Sequence, residues 1–174
     1  MRTPAWQVSA AASKVPSASR LTLSQIMTPH ETNLLGTVHG GEILKLIDSV
    51  AGVAAARHSE GPAVTASMDE VAFLVAVRVG DVVHLDAEVT WAGRTSMEVT
   101  VTVRADRWDA TVPATTVVTA HLVMVAVDDN GRPRAVPTLN PETGEERRAY
   151  EEAEIRRRHR LSLREELRAA RARD

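Results

Sequence analysis

The chain has 174 residues, of which 44% are hydrophobic, and this length suffices for one domain with its own core. It contains no cysteine, which excludes disulfide bonds and thiol nucleophiles and fits a cytoplasmic protein. The formal net charge of -2 argues against nucleic acid as a partner, since proteins that bind nucleic acid are typically basic.

Residues 1–19 are predicted to form a flexible N-terminal extension. The segment lacks the continuous apolar run of a signal peptide, and its Ala-, Ser- and Arg-containing composition resembles a transit peptide only weakly. No apolar run in the sequence approaches the roughly 20 residues of a membrane-spanning helix. We therefore expect no contact with a membrane.

The main domain is predicted over residues 20–140. A first strand is expected in residues 20–29 and precedes a long helix that Gly61-Pro62 ends. The apolar residues of this helix form one stripe, consisting of Ile43, Ile47, Val50 and Ala54.

About four further strands are expected between residue 63 and residue 128. Residues 82–91 and 96–106 alternate between apolar and polar side chains, which predicts a hairpin. Because strands and helices do not alternate along the chain, the fold class is α+β, with the helix on one face of a mostly antiparallel sheet. We expect a second copy of the chain to cover the other face.

Residues 141–174 are predicted to form a charged helical tail. One interpretation is a solvated helix stabilised by ion pairs between residues four positions apart. The other is that some of its arginines, Arg156, Arg157, Arg158 and Arg160, bind phosphate groups.

Asp48 lies on a flank of the long helix that is otherwise small and apolar, together with Leu44, Ala51 and Ala55. A single helical Asp is often solvated or salt-bridged, but this flank suits contact with another backbone. Eight residues before it, Gly40-Gly41 either makes a tight turn or presents amides that can hold an oxyanion. Eight helical residues span about 12 Å, too far for both groups to act on one carbonyl. Two antiparallel helices across a twofold axis would bring them together.

Three segments together resemble the cytosolic acyl-CoA thioesterases of the hotdog fold: NLLGTVHGGEILKLIDSVAGVAAARH, VTASMDEVAFLVAVRVGDVVHLDAEVTWAGRTSMEVTVTV and AHLVMVAVDDNGRPRAVP. The resemblance extends over roughly residues 20–160. It implies a long central helix wrapped by an antiparallel sheet of about five strands. It also implies homodimers that assemble into homohexamers as trimers of dimers. The implied reaction converts an acyl-CoA to a free carboxylic acid and CoA, without a metal or a further cofactor.

The same resemblance assigns roles to individual residues. The catalytic acid of the central helix matches Asp48, as general base or, alternatively, as nucleophile, and the glycines after His39 match the group that polarises the thioester carbonyl. Possible water-positioning residues are Asn33, Thr37 and His39, although His39 can equally be a plain helix-start residue. Where relatives often carry Asn or Asp, this chain has Thr37, and the usual proline of a Phe-Leu-x-Pro-Val segment is Ala76.

The resemblance also implies that the segment AGRTS contacts CoA, through the candidate residues Gly93, Arg94, Thr95 and Ser96. Alternatively, the segment is a plain hairpin turn. The six histidines show no metal-binding spacing, and nucleotide-binding and zinc-protease motifs are missing. Two rival functions are a non-catalytic acyl-CoA-binding protein with a regulatory or scaffold role and an enoyl-CoA hydratase. The first has no need of a carboxylate beside the thioester, and the second usually requires an Asp/His pair that is not found.

Overall fold

A five-stranded antiparallel sheet wraps one long helix, and a second helix crosses the far side of the sheet. The structure, a computed structural model, describes residues 13–172. Its elements are β1 (Ser13–Lys14), β2 (Leu21–Ile26), α1 (Gly40–Ser59), β3 (Ala63–Phe73), β4 (Asp81–Ala92), β5 (Ser96–Arg107), β6 (Thr115–Ala126), β7 (Thr138–Leu139) and α2 (Gly144–Arg171). The sheet order is β2-β4-β5-β6-β3, so β2 and β3 are its edges. The predicted α+β hotdog architecture is confirmed.

The core lies between α1 and the concave face of the sheet. The predicted stripe of α1 is fully buried there, and so are the apolar residues of the two alternating strands: Val83, Leu85, Ala87, Val89, Met97, Val99, Val101 and Val103. Strand alternation of period two places these side chains on one face. The β4–β5 register pairs Leu85 with Val103, Ala87 with Val101 and Val89 with Val99. The hairpin predicted from the sequence is therefore confirmed.

Strand β3 departs from regular alternation. Two shifts of register against β6 occur, between Thr65 and Ser67 and between Met68 and Glu70. Bulges of this kind redirect side chains along a strand. They let Thr65 face α1 while Asp69, four residues later, faces α2 on the opposite side of the sheet.

Between β3 and β4, within the region where strands are expected, the chain does not form a strand. Strand β3 ends at Phe73, and residues 74–80 form a loop. The loop pairs with the chain before α1, because the Val38 amide donates to the Val77 carbonyl at 2.9 Å. It ends at Gly80, whose φ of +84° favours glycine.

The flexible extension predicted for residues 1–19 is wrong for residues 13–19, and residues 1–12 lie outside the described part of the chain. Strand β1 pairs in parallel with β7. The fully buried Ser19 hydroxyl donates to the Pro16 carbonyl at 2.7 Å and accepts from the Val89 amide at 2.9 Å. The segment is thus tied to both the sheet and the residues that precede α2.

Helix α2 covers part of the convex face of the sheet, where the sequence suggested only a second copy of the chain. Its Arg156 binds Glu98 of β5 through two hydrogen bonds of 2.7 and 2.9 Å. Arg160 pairs with Asp69 of β3, and the Arg157 guanidinium lies 4.9 Å from the centre of the Trp91 ring of β4. These arginines fasten the helix to the sheet, which neither interpretation of the tail anticipated.

Candidate functional site

The N-terminus of α1 is capped by a histidine. His39 is the N-cap residue, and its Nδ1 accepts the Gly41 amide at 2.9 Å. The Gly40 amide makes no hydrogen bond to another described residue. Of the two glycines predicted to polarise a carbonyl, Gly40 therefore keeps a free N–H at the positive end of the helix dipole.

The turn before the helix is organised by Asn33. Its Oδ1 accepts the amides of Leu35 and Thr37 at 2.8 and 3.3 Å, and its Nδ2 donates to the Thr37 hydroxyl at 2.9 Å. Gly36, with φ of +76°, makes the turn possible. One Nδ2 hydrogen and the Thr37 hydroxyl hydrogen have no acceptor among residues 13–172, so both can bind a water or a substrate oxygen.

Two depressions are lined by residues at the start of α1 or next to it in sequence. A groove of about 250 Å³ is lined by Thr37, Gly40 and the residues from Phe73 to Val77. The Phe73 ring packs closely on the helix start, since a Cβ on Gly40 would lie 3.3 Å from it. A shallower depression holds Asn33 and His39 beside the fully exposed Leu34 and Leu35. An apolar ligand tail and a polar head would therefore both find partners here.

Asp48 lies two turns further along α1. It is exposed in the single chain, and its Oδ1 accepts the Thr65 hydroxyl of β3 at 2.5 Å. Thr65 also lies 3.4 Å from the Met124 sulfur. The hydroxyl fixes one carboxylate oxygen and leaves the other facing solvent. Sequence reasoning missed Thr65, because a threonine in a β-rich segment carries no signal that it touches a helix.

The β4–β5 turn lies at the other end of the sheet. The carbonyls of Arg94 and Thr95 accept the amides of Val136 and Ala126, at 3.1 and 3.0 Å, and Ser96 closes the hairpin by accepting the Gly93 amide at 2.8 Å. A Cβ on Gly93 would lie 2.4 Å from the Trp91 ring, so this glycine makes room for the indole. Within residues 13–172 the exposed Arg94 guanidinium has no partner.

The predicted site residues thus form three groups within one chain. Asn33, Thr37, His39, Gly40 and Gly41 are together at the start of α1, Asp48 is in its middle, and Gly93 to Ser96 are near its end. A helix of 20 residues is about 30 Å long. A single chain therefore does not assemble the groups around one bond.

A second cluster of titratable groups lies under α2. Burial raises the pKa of the Glu98 carboxyl, although the Arg156 guanidinium opposes this. Burial, with a further contribution from Arg156, lowers the pKa of His121 to about 4. His121 Nδ1 lies 3.1 Å from the Thr100 hydroxyl. This cluster supports the helix and is remote from Asp48.

Among residues 13–172, no three His, Asp or Glu side chains lie close enough to hold a metal ion. In the same range, neither α1 nor α2 contains an apolar stretch long enough to cross a bilayer.

The sequence is similar to known proteins along most of its length. The thioesterase superfamily profile matches residues 35–107. An uncharacterized acyl-CoA thioester hydrolase of Bacillus subtilis is 41% identical over 128 residues, which are 74% of either chain. The cytosolic acyl coenzyme A thioester hydrolase of Homo sapiens is 37% identical over 141 residues, which are 80% of this chain but 37% of that protein. The chain thus spans little more than a third of the human relative.

Solved structures agree with this similarity. A hexameric acyl-CoA thioesterase superposes with a TM-score of 0.83 at 40% identity and covers 87% of this chain and 97% of its own. The acyl-CoA hydrolase of Staphylococcus aureus, in complex with butyryl-CoA and CoA, has a TM-score of 0.84 at 34% identity and covers 91% and 96%.

Three variants of the Staphylococcus aureus enzyme have also been solved. Alanine replaces an asparagine in one, an aspartate in the second and a threonine in the third. The aspartate follows the asparagine by 15 residues, and the threonine follows the aspartate by 17. Asn33, Asp48 and Thr65 have the same spacing. This shared spacing makes Asn33 an alternative to Thr37 for the position where relatives often carry an asparagine.

Proposed function

We propose that this chain, which belongs to the thioesterase superfamily and is an acyl-CoA thioester hydrolase of the hotdog fold, builds its active site from two copies of itself. One copy would supply Asn33, Thr37 and Gly40, and the other Asp48 and Thr65. The observation that carries the proposal is the Thr65–Asp48 hydrogen bond, which holds a carboxylate in place on an exposed helix flank. A protein that only bound acyl-CoA would have no use for it.

Chemically, Asp48 acts as the general base. Its oxygen that is free of Thr65 takes a proton from a water as the water attacks the thioester carbon. The carbonyl oxygen gains negative charge, which the Gly40 amide and the helix dipole stabilise. The C–S bond then breaks, and the proton held by Asp48 passes to the departing thiolate sulfur, so the products are a carboxylic acid and CoA and Asp48 is again ionised. The reaction needs no metal or further cofactor, since its reactants are acyl-CoA and water and its products are the carboxylic acid and CoA.

Asn33 supports this step from the first copy. Its side chain is fixed by the turn, so the free Nδ2 hydrogen points in a defined direction without further ordering. That hydrogen and the Thr37 hydroxyl can hold the attacking water or the carbonyl oxygen, with His39 beside them. The acyl chain would then enter the apolar groove next to Phe73.

The CoA portion would extend toward the β4–β5 turn of the copy that supplies Asp48. Arg94 is suited to a phosphate, because its guanidinium is exposed and unpaired within the described residues. Thr95 and Ser96 would contribute their hydroxyls, since their carbonyls already accept backbone hydrogen bonds within the chain. Gly93 contributes by its shape alone.

A second copy would pair at strand β3. This edge strand is 11 residues long and exposes Val64 and Met68, and long apolar edges of this kind are usually covered. We extend the proposal to a homohexamer built as a trimer of dimers, which the hexameric state of two similar thioesterases supports. A cytoplasmic location is supported by the cytosolic human relative.

Release of CoA from a panel of acyl-CoAs tests the activity. Wild type should release thiol from at least one chain length, and a lack of release from every member would refute the proposal. Mixing two inactive variants, Asp48→Asn and Asn33→Ala, tests the shared site. A mixed dimer would contain one intact site, so activity should return, whereas a mixture of two Asp48→Asn preparations should stay inactive. If the mixed dimers form and remain inactive, the site is not shared in this way.

A further inference from the structure

The C-terminal part of α2 continues as a regular helix although it is exposed to solvent along its whole length. Every residue from Leu161 to Ala172 is exposed. An isolated helical segment of this length is marginal in water, so tertiary contacts normally hold such a helix together. The last anchor to the sheet is Arg160, which pairs with Asp69 on the edge strand β3.

One side of this helix carries an apolar row. Ile155, Leu163 and Leu167 lie along it with His159, at intervals of four residues, and we call these four residues the α2 seam. The three apolar side chains are between 45% and 57% exposed, a large fraction for aliphatic residues in one row. The seam is thus available for contact with another surface.

The α2 seam faces the edge of the sheet. Ile155, His159 and Leu163 line a groove of about 550 Å³, and its other wall is Asp69 and Glu70 of β3. The groove therefore opens on the side where β3 itself lacks a neighbour.

We propose that the α2 seam is an assembly surface, buried by the same segment of a second copy of the chain. Pairing of two β3 edges across a twofold axis brings two identical patches face to face, as an isologous contact requires. The seam would continue that contact from the edge of the sheet onto its convex face. This inference takes the β3 pairing from the proposed function and adds the helix to it.

Charge also favours a second copy over an unrelated partner. Within residues 13–172, Arg164 and Arg168 make no ion pair, and neither does Glu70. A second copy brings both signs to the same place, with the arginines of one chain near the Glu70 carboxylate of the other. Such pairs at the rim of an apolar contact select the partner more than they add affinity.

The test is the assembly of the double variant Leu163→Glu/Leu167→Glu. Both side chains are exposed in the single chain, so the variant should fold, which circular dichroism would verify. Sedimentation velocity of fluorescently labelled protein over a dilution series should show dissociation at a concentration roughly 10-fold or more above that of wild type. Leu161→Glu is the matched control, because Leu161 lies on the same helix outside the seam, and its dissociation should be unchanged.

An unchanged dissociation concentration in the double variant would overturn the proposal, and so would an equal change in Leu161→Glu. If assembly is unchanged and the double variant also loses binding to anionic phospholipid vesicles, the seam is assigned to a membrane surface. Release of CoA by wild type is measured separately, so failure of the seam and failure of the thioesterase proposal are distinguishable.

Discussion

The Thr65 hydroxyl donates a hydrogen bond of 2.5 Å to Asp48, and so joins the edge strand of the sheet to the middle of the central helix. The bond occupies one carboxylate oxygen and restricts the side-chain torsions of Asp48, while the second oxygen faces solvent. A carboxylate that would otherwise sample several rotamers is therefore held in one orientation. This pair, the β4–β5 turn and the cluster of Glu98 and His121 can each be tested by substitution.

Asp48→Asn should lower kcat for acyl-CoA hydrolysis by about 10²- to 10⁴-fold, because an amide cannot accept the proton of the attacking water. Stability should change by less than about 0.5 kcal/mol, since the side chain is exposed. Thiol-release kinetics and a thermal melt measure the two effects. Glu42→Gln, on the same helix, is the control and should keep full activity; full activity in Asp48→Asn would remove the assigned base.

Thr65→Val should lower kcat by roughly 10-fold while KM stays close to that of wild type. Valine keeps the shape of threonine but loses the hydrogen bond, whose net worth is about 1 kcal/mol or somewhat more to a charged acceptor. Thr65→Ser retains the hydroxyl and should recover most of the rate. If valine and serine behave alike in steady-state kinetics, Thr65 does not orient Asp48.

Gly93→Ala and Arg94→Gln should separate structure from binding in the β4–β5 turn. The alanine Cβ would overlap the Trp91 ring, so Gly93→Ala should lower stability by about 1–3 kcal/mol. Arg94→Gln should leave the melting temperature unchanged and raise KM for acyl-CoA. Gly144→Ala, where a Cβ meets nothing within 4 Å, is the stability control. An unchanged KM in Arg94→Gln would leave Arg94 without a role in CoA binding.

His121→Gln should reduce the loss of stability in mild acid. The pKa of His121 is about 4 in the folded chain, below the value of 6.5 of an ordinary histidine. The unfolded chain therefore binds a proton between pH 6.5 and 4 that the folded chain does not, so stability present above pH 6.5 is lost as the pH falls. The loss is at most about 3 kcal/mol, less whatever solvent screening removes.

Melting temperatures at pH 4.5, 5.5 and 7.5 would measure this effect as the difference between wild type and His121→Gln. The comparison is needed because the raised pKa of the neighbouring Glu98 acts in the opposite direction. Parallel curves for the two proteins would show that His121 does not contribute.

Much of this fold could be read from periodicity. The spacing of Ile43, Ile47 and Val50 predicted which side of α1 is buried, and the alternation around Leu85 and Val99 predicted the central hairpin. Both patterns are strong because one face of each element is fully apolar and the other is polar. The position of Asp48 between these faces predicted a contact surface and not open water; the side chain is exposed in the single chain, so this prediction depends on a second copy.

Other features depend on tertiary contacts that leave no pattern in the sequence. Thr65 reaches Asp48 only because β3 contains bulges, and a bulge adds one residue without any characteristic side chain. Ser19 appeared to belong to a loose extension, since a small polar residue shows no sign that its hydroxyl will be buried. The arginines of α2 were expected at solvent or phosphate, but their partners, Glu98 and Asp69, come from distant strands.

At the C-terminal end of α1, a tertiary contact takes the place of the glycine that usually ends a helix. Helices commonly finish with a glycine in the left-handed conformation, yet Glu60 occupies that position here with φ of 58°. Lys14 of β1 stabilises it, binding the Glu60 carboxylate at 2.8 Å and the Arg57 carbonyl at 2.9 Å. The N-terminal segment thus acts as an external cap for the central helix. Substitutions in that segment should therefore increase fraying at the C-terminal end of α1, the helix that bears Asp48.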